Sequence, residues 1–182
     1  MGRTSRRAGE KLIALPRLIR VIAEERARGR RVVLTNGCFD LLHAGHLKLL
    51  ESAAGLGDLL VVAINRDDSV RLLKGPARPV LPFEQRALLV AGLEVVDWVV
   101  GFDEATPLEL IQAIRPSVLV KGGDWPAERM VGGEFVKSLG GRVVSLPLLH
   151  GHSTSRLVDR IRGGKRLKPA TRAPDPKAWP PS

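Results

Sequence analysis

Short, Val-rich apolar runs recur along the chain at Arg31–Thr35 (RVVLT), Leu59–Ile64 (LLVVAI), Val95–Val100 (VVDWVV), Ser117–Val120 (SVLV) and Arg142–Leu146 (RVVSL). Bounded by Gly, Asp or Pro, they read as strands of a parallel sheet, where both faces are covered and simple alternation is lost. Between them the spacing predicts helices near residues 44–55, 83–93, 107–114, 128–138 and 154–162. Ahead of the first run, Leu18, Ile19 and Ile22 predict a helix from about Leu15 to Arg28, with Pro16 suited to its first turn and Gly29 to its stop. Strands alternating with helices predict an α/β fold: a Rossmann-like, doubly wound, five-stranded parallel sheet with helices on both faces and right-handed crossovers. Ligands of such sheets bind beyond the carboxyl ends of the strands, where the strand order reverses. Chemistry is therefore expected just after each strand.

Composition narrows this picture without redirecting it. With 182 residues, 44% apolar and 26% charged, the chain has one domain's worth of core and is neither a disordered chain nor a fibre. No apolar stretch approaches the roughly 18 residues of a membrane span. Pro16, Arg17 and Arg20 break the run that a secretory leader would need, so a cytoplasmic protein with no membrane partner is expected. A single cysteine, Cys38, excludes an internal disulfide or a multi-cysteine zinc site, and it reads as a small buried hydrophobe.

The net charge of +10 invites a nucleic-acid reading, but its distribution argues otherwise. Residues 1–11 carry +3, residues 163–182 carry +4, and the body from 12 to 162 carries only +3. A near-balanced body lacks a duplex-binding face, so no nucleic-acid partner is expected. Five of the 13 prolines fall in residues 163–182, which are expected to form a disordered basic tail. Residues 1–10 are expected to be a flexible basic N-terminus, leaving 11–162 as the folded domain.

The densest chemistry follows the first strand, in Thr35-Asn36-Gly37-Cys38-Phe39-Asp40-Leu41-Leu42-His43-Ala44-Gly45-His46. Gly37 permits a sharp turn out of the strand, and a helix is expected to begin near His43. His43 and His46, three apart, then face the same way on a first turn, beside free N–H groups and the positive end of the helix dipole. Gly45 between them lets a phosphate approach the backbone. Two such histidines also fit half of a metal site; a third ligand would have to be Cys38 or Asp40, and the spacing is not that of a zinc helix. No dedicated metal motif is present.

At this point a resemblance enters. TNGCFDLLHAGH resembles the HxGH signature of the nucleotidyltransferase superfamily that includes the cytidylyltransferases and pantetheine-phosphate adenylyltransferase. AINRDDSV, LKGPARPVLPFEQR, LEVVDWVVGFDEATP, VLVKGGDW and HSTSRLVDRI follow in order. Together they resemble the adenylyltransferase half of the heptose kinase/adenylyltransferase proteins over about residues 11–162. The sugar-kinase half has no counterpart here, which implies a separate sugar kinase upstream. Class I aminoacyl-tRNA synthetases share a HIGH-type motif, but the chain is too short for one and lacks their second lysine-rich signature and anticodon domain.

The resemblance implies condensation of ATP with D-glycero-D-manno-heptose 1-phosphate, by in-line attack on the α-phosphate, to give ADP-heptose and pyrophosphate. A CTP-dependent cytidylyltransferase acting on glycerol 3-phosphate or a similar phosphorylated alcohol would use the same frame. A nucleotide-binding regulatory module without catalysis is the non-enzymatic alternative. The resemblance to the transferases implies His43, His46 and Lys74 as catalytic residues. Asn36, Gly37, Phe39, Gly45, Lys121, Gly122, Asp124 and the Ser153-Thr154-Ser155 segment would bind nucleotide. Ser153 or Thr154 equally reads as a helix N-cap, and Trp125 as either a stacking surface or a core lid. Asp40, Asn65, Asp67, Arg78 and Arg86 are candidates for the sugar phosphate, with Arg86 equally readable as a structural ion-pair partner. Mg²⁺ would be carried by the ATP phosphates, and a homodimer is expected from the superfamily.

Overall fold

The structure, a computed structural model, describes residues 6–123, 126, 129–147 and 153–163. Asp124, Trp125, His150, His152 and nearly all of the expected tail lie outside the described residues. Five strands, β1 (Val32–Gly37), β2 (Leu59–Asn65), β3 (Trp98–Phe102), β4 (Val118–Gly122) and β5 (Arg142–Leu146), form one sheet. Its order is β3-β2-β1-β4-β5, with every neighbouring pair parallel. Around it lie α1 (Leu15–Ala27), α2 (Ala44–Ala54), α3 (Asp67–Lys74), α4 (Phe83–Ala91), α5 (Leu108–Ile114), α6 (Gly133–Ser138) and α7 (Thr154–Arg162). Among the described residues, no helix is long and apolar enough to cross a membrane.

Alternate strand residues feed two separate cores. Val32 and Leu34 join Leu18, Ile22, Leu110, Ile111 and Val136 on the face of α1, α5 and α6. Val33 joins Leu50, Ala53, Ala87 and Val90 on the face of α2 and α4. This two-sided burial is why the strands read as continuous apolar runs. The chain steps outward from β1 to β2 and β3, then returns across β1 to β4, so the order reverses between β1 and β4. The segments leaving those two strands, at Cys38–His43 and at Gly123, border the crevice expected to bind ligand.

Three expectations changed. The third strand begins at Trp98, three residues later than the apolar run, because Asp97 turns inward. Its carboxylate accepts from the Leu60 N–H at 2.8 Å and its own N–H donates to the Leu60 carbonyl at 3.0 Å, so ladder pairing starts one residue on. Residues 67–74, where the spacing predicted no helix, form α3. Its core contribution is only Ser69 and Val70, too sparse for a visible period; Asp67 and Asp68 at its start and Arg71 and Lys74 at its end match the helix dipole. Residues 6–10 are built into the fold, contrary to the expected flexible N-terminus. Ala8–Lys11 form a 3-10 turn, Lys11 is buried with its Nζ on the Leu93 carbonyl at 2.9 Å, and the Arg6 guanidinium lies 4.3 Å from the Trp98 ring centre.

Candidate active site

The turn out of β1 folds back on itself. Phe39 takes a left-handed backbone (φ 45°) and is buried, and a Cβ at Gly37 would stand 3.2 Å from its ring. A glycine at 37 is thus what lets the phenyl ring tuck beneath the loop. His43 is not on the first turn of α2, as the spacing implied. It is the N-cap, in extended backbone (φ −146°, ψ 169°), and its Nδ1 accepts from the His46 N–H at 3.3 Å. An accepting Nδ1 puts the His43 ring proton on Nε2. The two rings stack, centroids 3.8 Å apart and 16° from coplanar, with the Phe39 ring 5.1 Å from His46.

Burial pushes the His46 pKa down from 6.5 to about 4, and the neighbouring His43 and Lys74 push the same way; a hydrogen bond with the Leu41 backbone opposes them. His46 is therefore neutral at physiological pH, and its buried Nδ1 has no hydrogen-bond partner among the described residues. His46 supplies a hydrogen-bonding group rather than a charge. The nearby positive charge comes from Lys74, the last residue of α3 and exposed, close enough to act on His46.

The other basic and acidic candidates turn inward. Asp40 is buried and accepts from the Val80 N–H at 2.6 Å and from Arg78 Nε. Arg86 is fully buried: it donates to an Asp67 carboxylate oxygen at 2.6 Å, to the Leu81 carbonyl at 2.9 Å and to the Cys38 carbonyl. Asn65 donates to Ser69 Oγ at 2.9 Å, and its Oδ1 faces the Cys38 thiol at 3.9 Å. The thiol is half-buried, so Cys38 is not the enclosed hydrophobe expected. Asp40, Asp67, Arg78 and Arg86, expected to meet a sugar phosphate, have their described hydrogen bonds with one another and with the backbone around the site, and Asn65, expected there too, has its own with the Ser69 and Cys38 side chains. Withdrawal from water favours such pairing, while the Arg78 Nη2 is buried without a hydrogen-bond partner among the described residues.

Those commitments also bear on a metal. No group of three or more His, Cys, Asp or Glu is placed to hold an ion among the described residues. The Asp40 and Asp67 carboxylates are held by Arg78 and Arg86.

Across the β1/β4 crevice, Lys121 Nζ lies 3.5 Å from Asn36 Oδ1, and burial pushes the Lys121 pKa down. Both residues border a cavity of about 190 Å³ walled by Pro107, Leu119, Met130 and Val131. Pro107, Met130 and Val131 were not singled out from sequence; only Pro107, at a helix start after a strand, carried a signal. Gly122 ends β4, and Gly123 has φ 110°. The third arm is the start of α7. The Ser153 carbonyl accepts the Leu157 N–H at 3.1 Å, which puts Ser153 at the cap position, and Ser155 is exposed. Thr154 is buried and its Oγ1 donates to the Leu41 carbonyl at 3.4 Å, so it ties α7 to the loop before α2 instead of capping its own helix. The amino ends of α2 and α7 thus meet at Leu41, and a helix's first N–H groups, which lack intrahelical partners, are of the kind that bind anions.

Residues 34–141 match the family model of cytidylyltransferase-like proteins. The chain is 50% identical over 155 residues to the bifunctional protein HldE of Alcanivorax borkumensis, an alignment covering 85% of this chain and 33% of that one. It is 53% identical over 148 residues to the bifunctional protein HldE of Vibrio parahaemolyticus, covering 81% and 31%. The chain thus spans about a third of the length of these curated relatives. Among solved structures, the lipopolysaccharide core biosynthesis protein of Thermoplasma volcanium superimposes with a TM-score of 0.53 at 28% identity, covering 66% of this chain and 97% of that one.

Proposed function

The chain belongs to the cytidylyltransferase-like family, and we propose that it is a nucleotidyltransferase that condenses ATP with D-glycero-D-manno-heptose 1-phosphate. The observation that carries this reading is the stacked His43/His46 pair at the amino end of α2, beside Lys74 and the start of α7. The ATP and heptose assignments draw support from the order of the motifs and from half identity to the HldE proteins over most of the chain.

In this reading an oxygen of the sugar 1-phosphate forms a bond to the α-phosphorus while the bond to the β-phosphate oxygen breaks, and pyrophosphate leaves. The nucleophile is already an anion, so no proton has to be removed. The protein's task is to align the two phosphates and to stabilise charge on the α-phosphate and the leaving group. Imidazole N–H groups of His43 and His46 and the N–H groups around Gly45 serve the α-phosphate. Lys74 serves the leaving pyrophosphate together with the Ser153–Ser155 turn. A magnesium ion held by the triphosphate oxygens would supply shielding of their charge. Asn36, Lys121 and Gly122 line the part of the crevice left to the nucleoside. Asp40, Asn65, Asp67, Arg78 and Arg86 hold the frame.

A matrix of ATP, CTP, GTP and UTP against sugar 1-phosphates and glycerol 3-phosphate, read as pyrophosphate release, tests this. The expected result is turnover with ATP and the heptose 1-phosphate. Turnover with CTP and glycerol 3-phosphate alone overturns the substrate assignment.

A further inference from the structure

We propose that Arg86 is a positioning residue for nucleotidyl transfer: it locks the loop carrying His43 and His46 to the amino end of α3 and so sets Lys74, at the other end of that helix, beside the imidazoles. The proposal rests on the reading above, in which the imidazoles and Lys74 act on the triphosphate.

A fully buried guanidinium is costly, and a Leu or Met of similar volume would fill the same space more cheaply. What Arg86 adds is a junction of three segments. It bonds Cys38 in the turn after β1, Asp67 at the first position of α3, and Leu81 in the segment leading into α4. An α-helix advances about 1.5 Å per residue, so α3 is a rigid arm of roughly 12 Å with Asp67 at one end and Lys74 at the other. Two further ties hold the arm at its base: Asn65 on Ser69 Oγ, and Ser69 Oγ on the Glu104 carbonyl at 3.1 Å. Past Lys74 the chain is tied back to the same histidine loop, where Asp40 takes Arg78 and the Val80 N–H. Lys74 therefore stands between two anchored points, both fixed to the turn that carries the histidines. Its charge acts on His46, as that placement requires. Lysine at position 86 keeps the charge but cannot reach three acceptors in a fixed fork.

The test is a double-mutant cycle of Arg86→Lys and Lys74→Ala, with kcat and KM measured by pyrophosphate release. Arg86→Lys is expected to lower kcat about tenfold or more with little change in KM for the sugar phosphate. In the Lys74→Ala background the same change should cost less than about twofold, because its route of action is already gone. Additive losses, or a lower melting temperature with unchanged kcat, overturn the proposal. A second measurement needs no substrate: titration of the His46 ring by NMR. Both single variants should raise its pKa and the double variant should raise it no further; an unmoved titration in Arg86→Lys overturns the proposal even if the wild-type chain turns over no substrate in the matrix. Should Arg86→Lys fail to fold, Asp67→Asn weakens the same junction from the α3 side and is held to the same outcomes.

Discussion

His46 titrates near 6.5 in an unfolded chain and near 4 in the folded one, so acid acts on it unequally. Between those values the unfolded state binds a proton that the folded state refuses. Stability therefore falls as pH drops from about 6.5 towards 4 and levels off below. A shift of this size is worth at most about 3 kcal/mol. His46→Gln is expected to flatten that part of the profile, read as urea midpoints of wild type and variant from pH 4 to 7; parallel profiles contradict the assigned burial. For catalysis, a neutral imidazole at an oxyanion-type position loses roughly 2–4 kcal/mol of transition-state stabilisation when removed. His43→Ala and His46→Ala should thus each lower kcat/KM by about two to three orders of magnitude while circular dichroism stays native. The importance of this pair could be read from a strand, a glycine turn and a helix start in sequence. Its geometry could not, because whether His43 is the cap or the first helical residue depends on a single ψ angle that no periodicity encodes.

At the scale of elements, the join between β1 and the 75–82 segment hangs on Asp40, whose carboxylate faces Arg78 and the Val80 N–H with almost no access to water. Asp40→Ala leaves the half-buried Arg78 without its counter-ion, and removing one partner of such a pair costs about 3–5 kcal/mol. The expected readout is a lower urea midpoint with unchanged slope; a shift below about 1 kcal/mol would mean that Arg78 swings out to solvent. Asp40, Asp67 and Arg86 looked like ligand-facing groups because they stand at strand and helix ends near the crevice. Sequence position gives proximity to a site but not burial: Asp40 and Arg86 are buried, and Asp67 is engaged by Arg86. α3 escaped notice for the complementary reason: Leu72 and Leu73 are exposed, so its apolar residues do not trace a buried stripe. The strands, buried on both faces, were the most legible elements, with β5 matching at both ends and β1, β2 and β4 within two residues.

At the scale of the molecule, a parallel sheet has two edges that invite unwanted pairing, and the β3 edge is covered by the chain's own start. The Ile13 N–H donates to the Val99 carbonyl at 3.0 Å, Leu12 bridges Val99 in parallel, and Lys11 and Arg6 fasten the segment to Leu93 and Trp98. Composition pointed to a loose basic arm here, since four basic residues among the first eleven outweigh the two apolar positions that follow. A chain beginning at Ala14 should lose the burial of Ile13 and the cover of the edge, about 2–3 kcal/mol by apolar area alone, and should self-associate as concentration rises. Removal of residues 164–182 is expected to do neither, because the basic excess there adds to the net charge without being needed by the near-balanced body. Melting temperatures and light scattering of the two truncations, side by side, separate the cases. Equal destabilisation by both would mean that the carboxyl-terminal residues, too, brace the domain.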